Sequence, residues 1–261
     1  MQEPEDVAQQ VQNYLHVKAR SGRETLIMGD FTLYLHVQDR GSGASFVLPN
    51  RPRINLDAFI LKRIGRIFAK RRRIVSFQCL DRYAPTLEDA LEVAGYGVQT
   101  RVPVLACWPG QVSPPDAGSH LEMVTISADS APDDVAENWN INARGFDPAA
   151  PLAQPADVAT FRRSLGKSRA FTARRHGVGV AAGMYTDIVD GVTELVGIAT
   201  LEEYRRQGIG GALTAFATQT AFADGATLAF LVADSEEAER VYRRVGYQPL
   251  GNLLMLTKEA F

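Results

Sequence analysis

The 261 residues carry a formal net charge of -2, and apolar residues make up 46% of them. That is enough apolar chain for a core and enough length for two domains, which excludes a disordered protein. The balanced charge gives no reason to expect nucleic acid or an anionic membrane as partner.

No run of 18 apolar residues occurs, so no membrane span is expected. The first ten residues, MQEPEDVAQQ, are acidic and polar, unlike a secretory signal peptide. Cys79 and Cys107 fit neither a disulfide framework nor a zinc pattern and read as buried apolar side chains. A reducing, cytoplasmic compartment is the simplest expectation. His16, His36, His120 and His176 are scattered without ligand spacing, so no metal is expected.

In chain order, the first elements expected are a strand at Ser45–Leu48 and a helix at Leu56–Lys70. Phe59, Ile60, Ile64 and Ile67 recur in that helix at helical spacing. The run Arg71–Arg73 reads as its solvated end. A strand at Ile74–Leu80, a helix at Leu87–Ala94 closed by Gly95 and Tyr96, and a strand at Arg101–Cys107 follow. The segment Trp108–His120 is rich in Pro, Gly and Ser, the composition of a linker or long surface loop. The expected division is therefore 1–110, a linker at 111–120, and 121–261.

The second part reads as strand Leu121–Ser127 and helix Ala131–Arg144, with Asp133 and Asp134 near the positive end of the helix dipole. Helix Asp157–Leu165 comes next, then strands Arg169–Arg175, Val178–Tyr185 and Thr193–Thr200. His176-Gly177 and Asp190-Gly191 between these strands suit antiparallel hairpins. Helix Ile209–Ala223, strand Thr227–Val232, helix Glu236–Val245 and strand Leu250–Thr257 complete the chain. This pattern is an α+β fold with a mixed sheet covered by helices. The first part repeats the later order, and ALEVAGYG (90–97) parallels VYRRVGYQ (241–248), as in a degenerate internal repeat.

The densest signal is Thr193–Leu213, TELVGIATLEEYRRQGIGGAL: an apolar strand, a charged turn, a glycine-rich bend and a helix start. Glycines there let a ligand approach the backbone. The first N–H groups of the helix lack partners and face the ligand with the positive end of the dipole, so phosphate is expected. The run is not a Walker loop, and with Leu at 213 it is not a full dinucleotide fingerprint.

Arg205-x-x-Gly208-x-Gly210 after an apolar strand resembles the acyl-CoA loop of the Gcn5-related N-acetyltransferases (GNAT). The run AERVYRRVGY (238–247) resembles that family's second signature, in which a helix carries a tyrosine just before a Gly-aromatic pair. The resemblance covers Leu121–Lys258 well and reaches the first half as a worn copy. It implies a GNAT-like, mostly antiparallel sheet flanked by helices, in two tandem halves. In the copy the corresponding turn, Pro49–Arg53, has two prolines and no glycine, and Leu91 stands where Tyr242 stands, so no acyl-CoA is expected there.

The resemblance further implies acetyl transfer from acetyl-CoA, as cosubstrate, to an amine of a small molecule or peptide. The N–H groups from Arg206 through Gln207, Gly208, Ile209 and Gly210 to Gly211 would cradle the diphosphate, with charge added by Arg205 and Arg206. The strand edge at Ile198, Ala199 and Thr200 would pair with the pantetheine amides. An N–H near Ile198 would meet the developing oxyanion. Tyr242 matches the general acid for the leaving thiolate, and Glu194 is a candidate base acting directly or through water. Ser235, a further candidate for the cofactor side, stands where the family often has asparagine and can cap its helix.

Each assignment has a plainer counterpart. A glycine turn before a helix is often a tight connection, Tyr242 can be a packing residue, and Glu194 can be a solvated strand residue. Trp139, Asn140 and Phe146 lie where the family lines its acceptor pocket, and packing serves them equally. A non-catalytic acyl-CoA sensor on the same fold is the alternative to an enzyme. The identity of the acceptor is not legible.

Overall fold

The computed structural model of the chain describes residues 4–39, 41, 43–118 and 120–258. It divides into two compact units. One comprises Met1–Val104 with Leu250–Phe261, and the other comprises Leu105–Pro249. Both are α+β, with mixed, mostly antiparallel strands flanked by helices.

In the first unit, helix α1 (Pro4–Ala19) precedes strands β1 (Arg23–Met28), β2 (Phe31–His36) and β3 (Phe46–Pro49). The sequence reading gave no element before Ser45. Local signals for these elements exist: Val7, Ala8, Val11 and Tyr14 are buried at helical spacing, and Phe31, Leu33 and Leu35 alternate along β2 after the Gly29-Asp30 turn. Helix α2 (Ala58–Lys70) links β3 to β4 (Ser76–Leu80), which pair in parallel. Helix α3 (Leu87–Val93) and strand β5 (Gly97–Cys107) follow; β5 leaves this unit after Val104.

The run Arg71–Arg73 is not simply a solvated helix end. Arg71 pairs with Glu24 at 2.9 Å, and the Arg73 guanidinium donates to the carbonyl oxygens of His36 and Asp39. The last strand, β11 (Gln248–Thr257), was expected with the second half. From Leu250 it groups with the first unit instead. There it pairs antiparallel with β4, Leu254 opposite Cys79 and Leu256 opposite Phe77. Asn252 seals the junction: its N–H and amide donate to the two Asp81 carboxylate oxygens, each at 2.8 Å.

The second unit contains β6 (Leu121–Ile126), α4 (Pro132–Phe146), α5 (Pro155–Leu165), β7 (Arg169–Arg175), β8 (Val178–Tyr185) and β9 (Val192–Thr200). A single 3-10 turn (Glu202–Tyr204) leads to α6 (Ile209–Ala223), β10 (Leu228–Val232) and α7 (Glu236–Val245). Strands β6 to β9 form an antiparallel meander, and β10 joins β9 in parallel. His176-Gly177 and Asp190-Gly191 all have positive φ, which gives the two-residue turns expected of the hairpins. Each unit thus holds one parallel strand–helix–strand connection, β3-α2-β4 in the first and β9-α6-β10 in the second.

Helix α6 is apolar nearly all round, as a helix buried on most sides must be. Leu213, Ala217 and Ala221 sink into a core with Phe171, Tyr185, Leu195 and Val245. Its buried threonines are satisfied locally: Thr214 donates to the Gly210 carbonyl and Thr218 to that of Thr214, each at 2.7 Å. The Thr218 hydroxyl also bonds the hydroxyl of the buried Tyr247 at 2.7 Å. Both cysteines are free and buried. Burial pushes the Cys79 thiol up to about 12 and the Cys107 thiol up to about 11, so both stay protonated and unreactive.

Residues 111–118, expected as a linker or long surface loop, lie in the second unit as a packed strap. Ser113 N–H donates to the Val245 carbonyl at 2.8 Å, and Arg175 Nη2 donates to the Ala117 carbonyl at 2.9 Å. Proline and glycine mark irregular backbone, which is not the same as mobile backbone. Ser119 lies outside the described residues. A Cβ on Gly246 would stand 2.2 Å from the Gln111 carbonyl oxygen. Gly246→Ala is therefore expected to lower stability by about 2 kcal/mol or more, read from urea unfolding.

Candidate functional site

The site begins with a break in the sheet. Strand β9 pairs with β10 from Val192–Leu228 to Leu195–Leu231. Its ladder with β8 matches Leu195 to Tyr185 and Val196 to Met184, then skips to Ala199 opposite Ala182. Gly197 and Ile198 thus share one place on the partner strand, a β-bulge. Gly197 has φ +64 there, and the Asn142 amide on α4 donates to its carbonyl. Beyond Leu195 no described residue of β10 pairs with β9. On the side away from β8, Ile198, Ala199 and Thr200 have no strand partner among the described residues, and Arg205 takes the Thr200 carbonyl.

That edge forms one wall of a groove of about 630 Å³, within the usual range for small-molecule sites. The start of α6 supplies Gly208, Ile209, Gly210 and Gly211, and α7 supplies Ala238, Val241 and Tyr242. Phe146 at the end of α4, Asp234 and Ser235 after β10, and Pro115 of the strap also line it. All of these residues belong to the second unit.

The start of α6 has no side-chain cap, because Gly208 holds the N-cap position at φ +76. Ala212 N–H is the first to bond back, to the Gly208 carbonyl at 2.9 Å. The N–H groups of Ile209, Gly210 and Gly211 have no backbone partner among the described residues. Three aligned N–H groups at the positive end of a 15-residue helix suit an anion. The comparable helix of the first unit is closed: the Asp57 carboxylate accepts from Phe59 N–H at 2.8 Å and sets a negative charge at the N-terminus of α2.

The three loop glycines differ in what they serve. A Cβ on Gly208 would stand 2.6 Å from the Asp116 carbonyl oxygen, and one on Gly211 would stand 2.8 Å from Pro115 Cγ. The strap accounts for these two. A Cβ on Gly210 would meet the Thr200 hydroxyl at 3.2 Å, on the groove side.

Arg205 lines the groove, yet its guanidinium is engaged. It donates to the Thr200 carbonyl at 3.1 Å and to the Gly145 carbonyl at 2.7 Å, bracing the end of β9 against α4. Arg206 lines the groove with φ +60. Gln207 does not line it: its amide donates to the Glu203 carbonyl at 3.3 Å and its carbonyl accepts from Arg175. Ser235 caps α7, its hydroxyl accepting from Ala238 N–H at 3.2 Å.

Tyr242 is buried, and its hydroxyl has no partner among the described residues. Burial, with the Asp234 carboxylate adding to it, pushes the phenol up to about 12. It stays a proton donor at any ordinary pH.

Glu194 does not line the groove. It lies four residues before Ile198 on β9, about 13 Å along the strand. The bulge reverses the alternation, so Glu194 shares the face of Val196 and Ala199 while Ile198 and Thr200 take the other. Trp139 packs edge-on against Phe161 with ring centroids 5.3 Å apart, and Asn140 accepts from Ala153 N–H at 2.7 Å. Of the three acceptor-side candidates, Phe146 alone reaches the groove. Sequence reasoning missed Arg240 and Arg244 of α7, which also line it. The available signal was their spacing from each other, four residues apart on one face of the helix.

Among the described residues no group of three His, Cys, Asp or Glu side chains could hold a metal ion, and no helix is long and apolar enough to cross a membrane.

Residues 136–247 match the model of the Acetyltransferase (GNAT) family. Curated protein sequences gave no match. Among solved structures, the chain is similar to a GCN5-related N-acetyltransferase from Kribbella flavida, with 29% identity and a TM-score of 0.79 over 98% of this chain and 96% of that one. It shares the fold of a GCN5-related N-acetyltransferase from Sphaerobacter thermophilus (15% identity, TM-score 0.66, 97% and 89% covered). It also shares the fold of a tandem GNAT protein from the clavulanic acid biosynthesis pathway (12%, TM-score 0.63, 88% and 78% covered).

The glycine geometry separates packing from binding. Gly208→Ala is expected to cost about 2 kcal/mol in urea unfolding, while Gly210→Ala, without positive φ, stays within about 1 kcal/mol of the parent.

Proposed function

The chain belongs to the acetyltransferase (GNAT) family through residues 136–247, and on that premise we propose that it transfers an acetyl group from acetyl-CoA directly to a primary amine. The observation that carries the reading is one groove joining an open β9 edge, a bare α6 N-terminus and the Tyr242 phenol.

Acetyl-CoA supplies an acetyl group activated as a thioester. The N–H groups of Ile209, Gly210 and Gly211, with Arg206 beside them, hold its diphosphate. The free edge of Ile198–Thr200 takes the pantetheine amides as a neighbouring strand would. A β9 N–H near Ile198 donates to the carbonyl oxygen as that atom gains charge. Tyr242 donates to the sulfur as it leaves. A phenol at about 12 would not protonate an ordinary thiolate, of pKa about 8.5, in water. Its donation matters because the bond strengthens as charge builds on sulfur in a site shielded from water.

The acceptor must attack as the free amine. Glu194, about 13 Å upstream on the opposite face, serves as base through intervening water. The acceptor is an amine of a small molecule or a peptide. The first unit serves as scaffold: its corresponding helix start is occupied by Asp57, and we assign it no acyl-CoA. We place the protein in the cytoplasm.

Three measurements test the reading. Calorimetry with purified protein should show acetyl-CoA binding, and an amine screen following thiol release should find an acceptor. Tyr242→Phe should leave acetyl-CoA affinity unchanged and lower kcat about a hundredfold. Full turnover in that variant would remove the acid assignment, and binding without turnover for any amine would favour the sensor reading.

The pH profile follows from the raised phenol. Tyr242 is protonated at every pH below its pKa of about 12. kcat/KM should therefore rise with pH to a plateau as the amine loses its proton, with no descending limb below about pH 10.

A further inference from the structure

Helix α7 sends its arginines in two directions. Arg243 pairs with Glu239 one turn earlier, through Nε at 2.8 Å and Nη2 at 2.6 Å. Arg240 and Arg244, also one turn apart, line the groove. Neither has a hydrogen bond or ion pair among the described residues.

Two like charges at that spacing on a helix repel each other. Relief was within reach: Glu236 stands four residues and Glu237 three residues before Arg240, both pairing distances on a helix. Neither carboxylate is so used. Guanidinium groups kept free toward a cavity present donors in the geometry that phosphate oxygens accept.

The groove has a place for one diphosphate already, at the start of α6. Arg205 is committed to two carbonyl groups. Arg240 and Arg244 therefore remain for a second anionic group. On the reading that the groove takes acetyl-CoA, the ligand carries such a group: a phosphomonoester on the ribose 3′-oxygen. A phosphomonoester bears between about one and a half and two negative charges at neutral pH, the match of two guanidinium ions. We propose that Arg240 and Arg244 bind the 3′-phosphate and make the protein select CoA thioesters over ligands without that phosphate. This rests on the function proposed above, and the test separates the two.

Calorimetry at low ionic strength on the full chain would compare CoA with 3′-dephospho-CoA. The parent protein should bind CoA about tenfold tighter or more, the scale of a charge-assisted hydrogen bond. R240A/R244A should bind both ligands equally, with the parent's affinity for dephospho-CoA. R240K/R244K should keep part of the preference, since the charge remains. Arg243→Ala should match the parent. Added salt should shrink the preference. Equal affinity of the parent for the two ligands, or a preference that survives R240A/R244A, overturns the arginine assignment while dephospho-CoA binding upholds the groove. Failure of the parent to bind either ligand removes the groove reading and this inference with it.

Discussion

Everything at the site depends on where β9 stops pairing with β10. A parallel ladder satisfies the N–H and C=O groups of both strands, and an edge strand left open keeps them for another partner. Here the ladder ends at Leu195 and Leu231, and two residues later the bulge at Gly197 turns the strand. Asn142 holds that bulge from α4, and the Arg205 guanidinium anchors the end of the strand to Gly145. The opened edge is thus fixed on one side by helix α4 and continued on the other by the helix that β9 feeds. An uncapped helix start and a strand edge beyond the β10 ladder become parts of one groove because one strand runs from the bulge into the helix start.

The two units show what decides whether a helix start can take an anion. Both place a helix after a strand and before its parallel neighbour. In α2 the Asp57 carboxylate accepts from the Phe59 N–H and adds negative charge. In α6 a glycine stands at the cap, and among the described residues no side chain caps the N–H groups. The dipole is the same in kind, and the capping residue sets whether it is spent inside the fold or offered outward. This physical difference separates the halves more sharply than their shared order of elements.

The strap at residues 111–118 gives a second reason for glycines that pattern reading assigns to a ligand. Gly208, Gly211 and Gly246 each lack room for a Cβ because strap atoms lie against them. This glycine-rich bend meets two neighbours at once: the strap packs on its outer side and the groove opens on its inner side. Gly210 is the position where the second stands alone.

From the sequence by itself came the α+β class, the hairpins at His176-Gly177 and Asp190-Gly191, the α6 start and the tyrosine-bearing helix α7. These are local, written in periodicity, turn residues and capping within a few positions. Elements α1, β1 and β2 were not among those expected, although the helical spacing of Val7, Val11 and Tyr14 and the Gly29-Asp30 turn before Phe31, Leu33 and Leu35 are local signals of the same kind. The tertiary structure decided what depends on distant partners. It returned the last strand to the first unit through Asn252 and Asp81, packed the proline-rich segment as a strap, and tied Arg205 and Gln207 to carbonyl and side-chain partners. It also turned Glu194 away from the groove and brought Arg240 and Arg244 into it. A side chain's type is fixed by the gene, but its face and partner follow from a bulge or a contact many residues away, and no short window of sequence contains both ends of such a contact.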